Sequence, residues 1–123
     1  MAVQRELTIL ASAARTATTN GADQDNIAGH RGVVVFIDCT ASAATPSVVF
    51  TVQGKEPNGT GYYTLLASAA VTAASDTVLT VYPGCVAVAN SVANLPLPRV
   101  WRVIATHADA DSITYSVTAC LIP

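Results

Sequence analysis

His107, Asp109 and Asp111 set one imidazole and two carboxylates at alternate positions of a short segment, His107-Ala108-Asp109-Ala110-Asp111. Alternate residues of a tight turn can point at one ion, so a divalent cation is the ligand this spacing would suit. The stronger reading is structural: Asp side chains in a hairpin turn accept hydrogen bonds from nearby backbone N–H groups and fix the turn. His30, between Gly29 and Arg31, reads as a loop residue. At a subunit contact it could instead pair with Asp23 or Asp25, and assembly would then respond to mild acid. Asn58-Gly59-Thr60 matches a glycosylation acceptor, but Asn-Gly is also what a tight turn needs. Tyr62, Tyr63 and Trp101 could form a sugar-binding platform; core and interface packing is the preferred role, with Trp101 as a core anchor. Arg99 and Arg102 fall on opposite faces of a strand and form no clamp.

No nucleophile elbow, Gly-rich phosphate loop or His-Glu-x-x-His helix occurs. Nothing therefore supplies a nucleophile with a matched base, and the expectation is a protein that is not an enzyme and that uses no cofactor and no metal. Cys39, Cys85 and Cys120 make an odd count without a Cys-x-x-Cys pair. They read as free thiols, with Cys39 and Cys120 buried in apolar strands, which fits assembly in a reducing cytosol.

The elements that must position these residues are limited by a chain of 123 residues and 12.6 kDa, which has room for one core and about 6,000 Å² of surface. Only 11% of the residues are charged, against 51% hydrophobic, so the skin must be largely neutral and suited to lying against other protein. The apolar excess is in small residues: 22 Ala, 16 Val and 15 Thr, a mixture that favours pleated, closely apposed surfaces. A net charge of -2 and a pI near 5.4 leave no electrostatic basis for binding nucleic acid. Thr, Ser, Asn and Pro break up every apolar run before it could cross a bilayer as a helix, and Glu6 interrupts the region an export signal would need, so neither a membrane nor Sec-type export is expected.

Residues 1–32 read as an extended N-terminal arm and connecting loop, with alternation over Arg5–Leu10 and turn signals at Asn20-Gly21 and Gly29–Gly32. Residues 33–123 read as an antiparallel β-sandwich of about seven or eight strands. Val33–Thr40 is too apolar for an edge and predicts a central strand. Val48, Phe50 and Val52 alternate, and Pro57-Asn58-Gly59 turns the chain into Tyr62–Leu66, a strong hairpin signal. Further strands are predicted over Asp76–Tyr82, Arg99–His107 and Ser112–Leu121. Leu95–Pro98 is a rigid extended connector, while Cys85–Asn94 fits a short helix or an irregular strand equally.

The segments SAARTATTNGADQDN, RGVVVFIDCTA, VVFTVQGKEPNGTGYYTLLASAA and above all LPRVWRVIATHADADSITYSV resemble small virion structural proteins of tailed bacteriophages and prophages, the capsid decoration or cement proteins. The similarity runs from about Glu6 to Leu121. It implies a β-sandwich that clusters on the outside of an icosahedral head, assembled in the host cytoplasm, and ties major capsid subunits together. Its expected partners are the major capsid protein and itself, as a homotrimer. The three cysteines are neither required nor explained by it. Arm logic adds candidate contact residues: Leu7 and Ile9 as apolar anchors, with Arg5, Arg15, Asp23 and Asp25 as polar contacts that set register. Two other functions compete. One is a receptor- or glycan-binding module of a head or tail fibre, which needs Tyr62, Tyr63 or Trp101 accessible; the other is a tail-tube or connector component.

Overall fold

A computed structural model describes residues 3–123. Its strands are β1 (Arg5–Arg15), β2 (Thr19–Asn20), β3 (Gln24–Asp25), β4 (Gly32–Ser42), β5 (Val48–Lys55), β6 (Tyr62–Ala67), β7 (Ser75–Val81), β8 (Val92–Ala93), β9 (Val100–His107) and β10 (Ile113–Ile122). The first sheet runs β1-β10-β4-β7-β8; the second runs β2-β9-β5-β6, with β3 also on β9. Every pairing is antiparallel except β7 with β8. The described residues contain no helix. Seven strands are six residues or longer, in keeping with the sandwich the sequence predicts.

Period-two alternation sends one side of each strand inward. Val33, Val35 and Ile37 on β4, Leu79 and Val81 on β7, and Tyr115 and Val117 on β10 meet Val48, Phe50 and Val52 on β5 and Trp101 and Val103 on β9, all 0 or 1% exposed. The Phe50 and Tyr115 rings meet edge to face across the sheets, with centroids 4.9 Å apart. The total surface of 6245 Å² agrees with the size scaling for a compact chain.

The N-terminal segment is extended, as its composition predicts, yet it is laid on the chain's own sandwich and not held free. β1 is the edge strand of the first sheet, paired with β10 from Arg5↔Leu121 to Arg15↔Ile113, while β2 and β3 pair with β9 in the second sheet. The cause is the alternation itself: Leu7 and Ile9, with Leu10, find apolar surface on the core and pack against it. The close approach of the chain to β9 between β2 and β3 needs Gly21. Its N–H donates to the Val103 carbonyl at 2.8 Å, and a Cβ there would lie 2.6 Å from that oxygen and 2.8 Å from Ile9 Cγ2. Residues 1–2 of the predicted arm lie outside the described residues.

The undecided stretch Cys85–Asn94 holds no helix; it is turn structure ending in β8, tied to β7 by Thr80 N–H to Ser91 O at 2.8 Å and Tyr82 N–H to Ala93 O at 3.1 Å. Leu95–Pro98 is an extended connector outside any strand.

Candidate contact surface

The structure spreads the six sequence-predicted contact residues along one flank and gives five of them contacts within the chain. Only Arg5 stands exposed with no hydrogen bond or ion pair among the described residues. Leu7 and Ile9 are half-buried on the core, so they anchor β1 to its own sandwich first.

Arg15 closes a local defect. Between Leu10↔Val117 and Ala13↔Tyr115 the register slips, leaving carbonyls of β1 without ladder partners. The Arg15 guanidinium donates to Ala11 O at 2.6 Å, Ala13 O at 3.3 Å and Tyr115 O at 2.7 Å, and lies 4.7 Å from the Tyr115 ring centre. Arg15→Ala should therefore cost about 1 kcal/mol in urea unfolding, since charge-assisted bonds are lost and the part-buried Tyr115 carbonyl is stranded, while water can reach those of Ala11 and Ala13. A loss below about 0.5 kcal/mol would show that the bulge needs no clamp.

Asp23 accepts from the Tyr62 hydroxyl at 2.8 and 3.0 Å and pairs with Lys55 Nζ at 3.3 Å. The Tyr62 bond foremost, with Lys55 adding to it, holds the Asp23 carboxyl below its ordinary value despite partial desolvation. Asp25 pairs with Arg99 at 3.4 Å across exposed side chains, an ion pair of small energetic weight.

His30 lies in the loop before β4, as the sequence suggests, but it is no partner of Asp23 or Asp25. It is buried, and its backbone N–H donates to Asn26 Oδ1 at 2.9 Å while Asn26 Nδ2 donates to His30 O at 2.7 Å. Its Nε2 contacts the Val3 carbonyl. Asn26 and His30 thus lock the 26–30 turn, a role that two residues four apart in a polar stretch did not announce.

The His107, Asp109 and Asp111 triplet does not converge. Asp109 accepts from the Asp111 N–H at 3.0 Å and Asp111 accepts from Thr45 N–H and Oγ1 at 3.1 and 3.3 Å, the turn-fixing work the spacing suggested. His107 points elsewhere, with Nε2 2.9 Å from the Tyr115 hydroxyl. No group of three His, Cys, Asp or Glu side chains is placed to hold a metal among the described residues. Burial, and secondarily the Arg15 charge, lowers the His107 pKa from 6.5, although Asp109 opposes this. Burial also raises the Tyr115 pKa. Because folding depresses the His107 pKa, the unfolded chain binds its proton more readily; the contribution is whole above about pH 6.5 and is lost as pH falls toward the folded value. Thermal unfolding between pH 7 and about pH 5 should show this decline, and His107→Gln should flatten it; an unchanged pH profile in the variant would contradict the assignment.

The aromatic platform is not assembled. Trp101 is fully buried, and Tyr62 is roofed by the Arg102 guanidinium, 3.5 Å from its ring centre, which Gln53 Oε1 holds at 2.9 Å from Arg102 Nε. Tyr63 is 43% exposed, beside Pro98, the two filling the space where a Cβ of Gly54 would lie. All three cysteines are free thiols, Cys39 and Cys120 buried and Cys85 half-buried; burial raises the Cys39 pKa.

What the sequence reading missed lies on the outer face of the first sheet. Phe36 and Val78, registered across β4 and β7, remain 45% and 47% exposed, with Thr118 of β10 on the other side of Phe36. One step along, Asp38 and Asp76 stand directly opposite each other, an arrangement that costs stability in an isolated sheet. The signal was present in Val33–Thr40, whose outward positions include Val34 and Phe36 as well as the polar Asp38 and Thr40. Charge is also polarised along the strands. Arg5, Arg31, Lys55, Arg99 and Arg102 lie toward the end closed by the 26–31, 56–61 and 95–99 loops, together with Glu6, Asp23, Asp25 and Glu56, which nearly balance them. Asp38, Asp76, Asp109 and Asp111 lie toward the other end, where the only basic residue, Arg15, is spent on backbone carbonyls.

Neither a protein-family model nor a curated protein matches the sequence. Among solved structures, a chain in the structure of infectious bursal disease virus Gx strain is similar with a TM-score of 0.53 and 13% identity, over 97% of this chain and 32% of that one. A chain in the structure of the Gt strain of that virus gives 0.51 and 13% over the same shares. This chain spans about a third of the length of those neighbours. Across that third, what the molecules share is the fold.

Proposed function

We propose that this chain is a non-enzymatic structural protein of a virion, a decoration or cement protein that sits on the outside of a bacteriophage head as a homotrimer and bridges major capsid subunits. The observation that carries the reading is a sandwich fold shared, over nearly its whole length, with a chain of a virus structure and clothed in a skin with few charges. A neutral face desolvates at little cost and packs against repeated copies. An interface of about 800 Å² per subunit would use roughly an eighth of the 6245 Å² surface. Such a contact can be modest alone, and linking three copies multiplies it through effective concentration. Binding only the assembled shell then opposes disassembly by linkage, with no chemistry at the surface.

The test adds the purified chain to phage heads that lack it. Co-sedimentation with the heads, together with a higher temperature of genome release, is the expected result. Heads that neither retain the chain nor gain heat resistance would overturn the reading. No observation favours the glycan-binding alternative, whose aromatic residues are buried, roofed or single.

A further inference from the structure

Sheet edges carry main-chain N–H and C=O groups with no ladder partner, and folded proteins blunt them with bulges, charges or a covering element. In this chain β1 slips register twice against β10 and β6 once against β5, so both of those edges are kinked. β7 differs from them. It runs in unbroken register with β4 from Val33↔Val81 to Cys39↔Ser75, and on its other side β8 covers only Thr80 and Val81. Asn90, at φ 61, turns the 84–91 loop away from β7, with Val88 bridged back to Val92. Residues 75–79 are left as a regular open edge. The N–H groups of Thr80 and Tyr82 point to the β8 side, where they donate to Ser91 O and Ala93 O, and period two sends those of Asp76 and Val78 the same way. Neither residue's backbone has a partner on that side among the described residues. One groove follows this edge, lined by 69–73, 75–78 and 89–91 with mostly small side chains. Its walls are fixed, because Val71 exchanges backbone bonds with Val48 of β5 at 2.8 and 3.0 Å and Ser91 O accepts from Thr80.

We propose that this groove binds an extended segment of another protein, which adds to β7 as a strand. The segment sets an apolar β-branched side chain against Val78 and, at the next position on the same face, a Lys or Arg against Asp76 and Asp38. Ladder bonds to Asp76 and Val78 give the affinity, and the side chains on the outer face give the choice of partner. The cation is called for by the register, since Asp38 and Asp76 stand opposite each other and neither has an ion pair among the described residues. No Lys or Arg occurs anywhere from residue 56 to residue 98 to supply one from the flanking loops. A second copy docked through the same edge would bring two more carboxylates and no cation to meet them. The inference goes beyond the virion reading and stands whether or not the chain decorates phage heads.

The probe is the capped peptide Thr-Val-Thr-Lys-Thr-Val-Thr, titrated into the isotope-labelled full chain and followed by NMR. Shifts confined to 69–80 and 89–91 are expected, with hydrogen exchange at the Asp76 and Val78 amides slowed by about tenfold or more at saturation. Replacing the peptide's lysine by glutamate should weaken binding by about tenfold. The double variant Asp38→Asn with Asp76→Asn, at two exposed positions, should keep the fold by circular dichroism and erase that preference. Methylating one alternate set of the peptide's backbone nitrogens should abolish binding while the other set is tolerated, because only one set faces β7. The proposal is overturned by an absence of shifts at millimolar peptide, by equal binding of the lysine and glutamate peptides, or by binding that survives both methylations. Asp76 and Val78 amides already protected in the free chain, with a doubled mass on gel filtration, would give the edge to a second copy and overturn it as well.

Discussion

Replacing Trp101 by Ala is expected to remove about 3–5 kcal/mol of stability, a large share of what a domain of this size holds. The indole is wholly enclosed between the sheets, on the strand that carries β2, β3 and β5 as its neighbours, so no movement of one loop can fill the space it leaves. Cross-strand from it stands Gly54, whose missing side chain leaves the room taken by Tyr63 and Pro98; collapse from that direction would have to displace both. Trp101 Nε1 has no hydrogen-bond partner, a desolvation cost the fold tolerates for the sake of ring volume. Trp101→Phe should accordingly be milder than Trp101→Ala, since it removes the orphaned donor along with part of the ring. Urea unfolding of the two variants decides this: an alanine variant within about 1 kcal/mol of the parent would mean the core is looser than its packing implies.

Removal of residues 1–26 should unfold the protein, where a free arm could be cut away without harm. The deletion takes β1 off β10 across the whole register from Arg5↔Leu121 to Arg15↔Ile113, and takes β2 and β3 off β9. It strips the packing of Leu7, Ile9 and Leu10 from the core, worth roughly 1 kcal/mol each for half-buried side chains, and opens a long apolar strand edge to solvent. With the lost ladders the total should reach about 5 kcal/mol or more, enough to exhaust a marginal stability. Circular dichroism and gel filtration of the truncated chain check it. A folded, monomeric product would return the segment to the status of an arm and restore Leu7 and Ile9 as anchors for a neighbour.

Local pattern made the long strands readable. Val33–Thr40, the hairpin around Pro57-Asn58-Gly59, and the runs from Arg99 and Ser112 all became strands near their expected bounds, because each carries period-two alternation or dense β-branching between turn residues. The pairing of β1 with β10 joins residues about a hundred positions apart, which no local signal encodes, and so the same alternation in Arg5–Leu10 read as a tether. Trp101 as a core anchor was legible from its place after a proline corner. The uses of Arg15, His30 and His107 were not, since each depends on a carbonyl, an amide or a phenol brought close only by folding. Composition predicted a largely neutral surface; only the register showed that Phe36 and Val78 stand side by side and exposed on it.

Electron cryo-microscopy of phage heads reconstituted with the purified chain tests the central proposal most directly. Sandwich-shaped density on the outer surface, in groups of three that each touch more than one major capsid subunit, is the predicted result. Bare heads, or density confined to the tail or its connector, would contradict it.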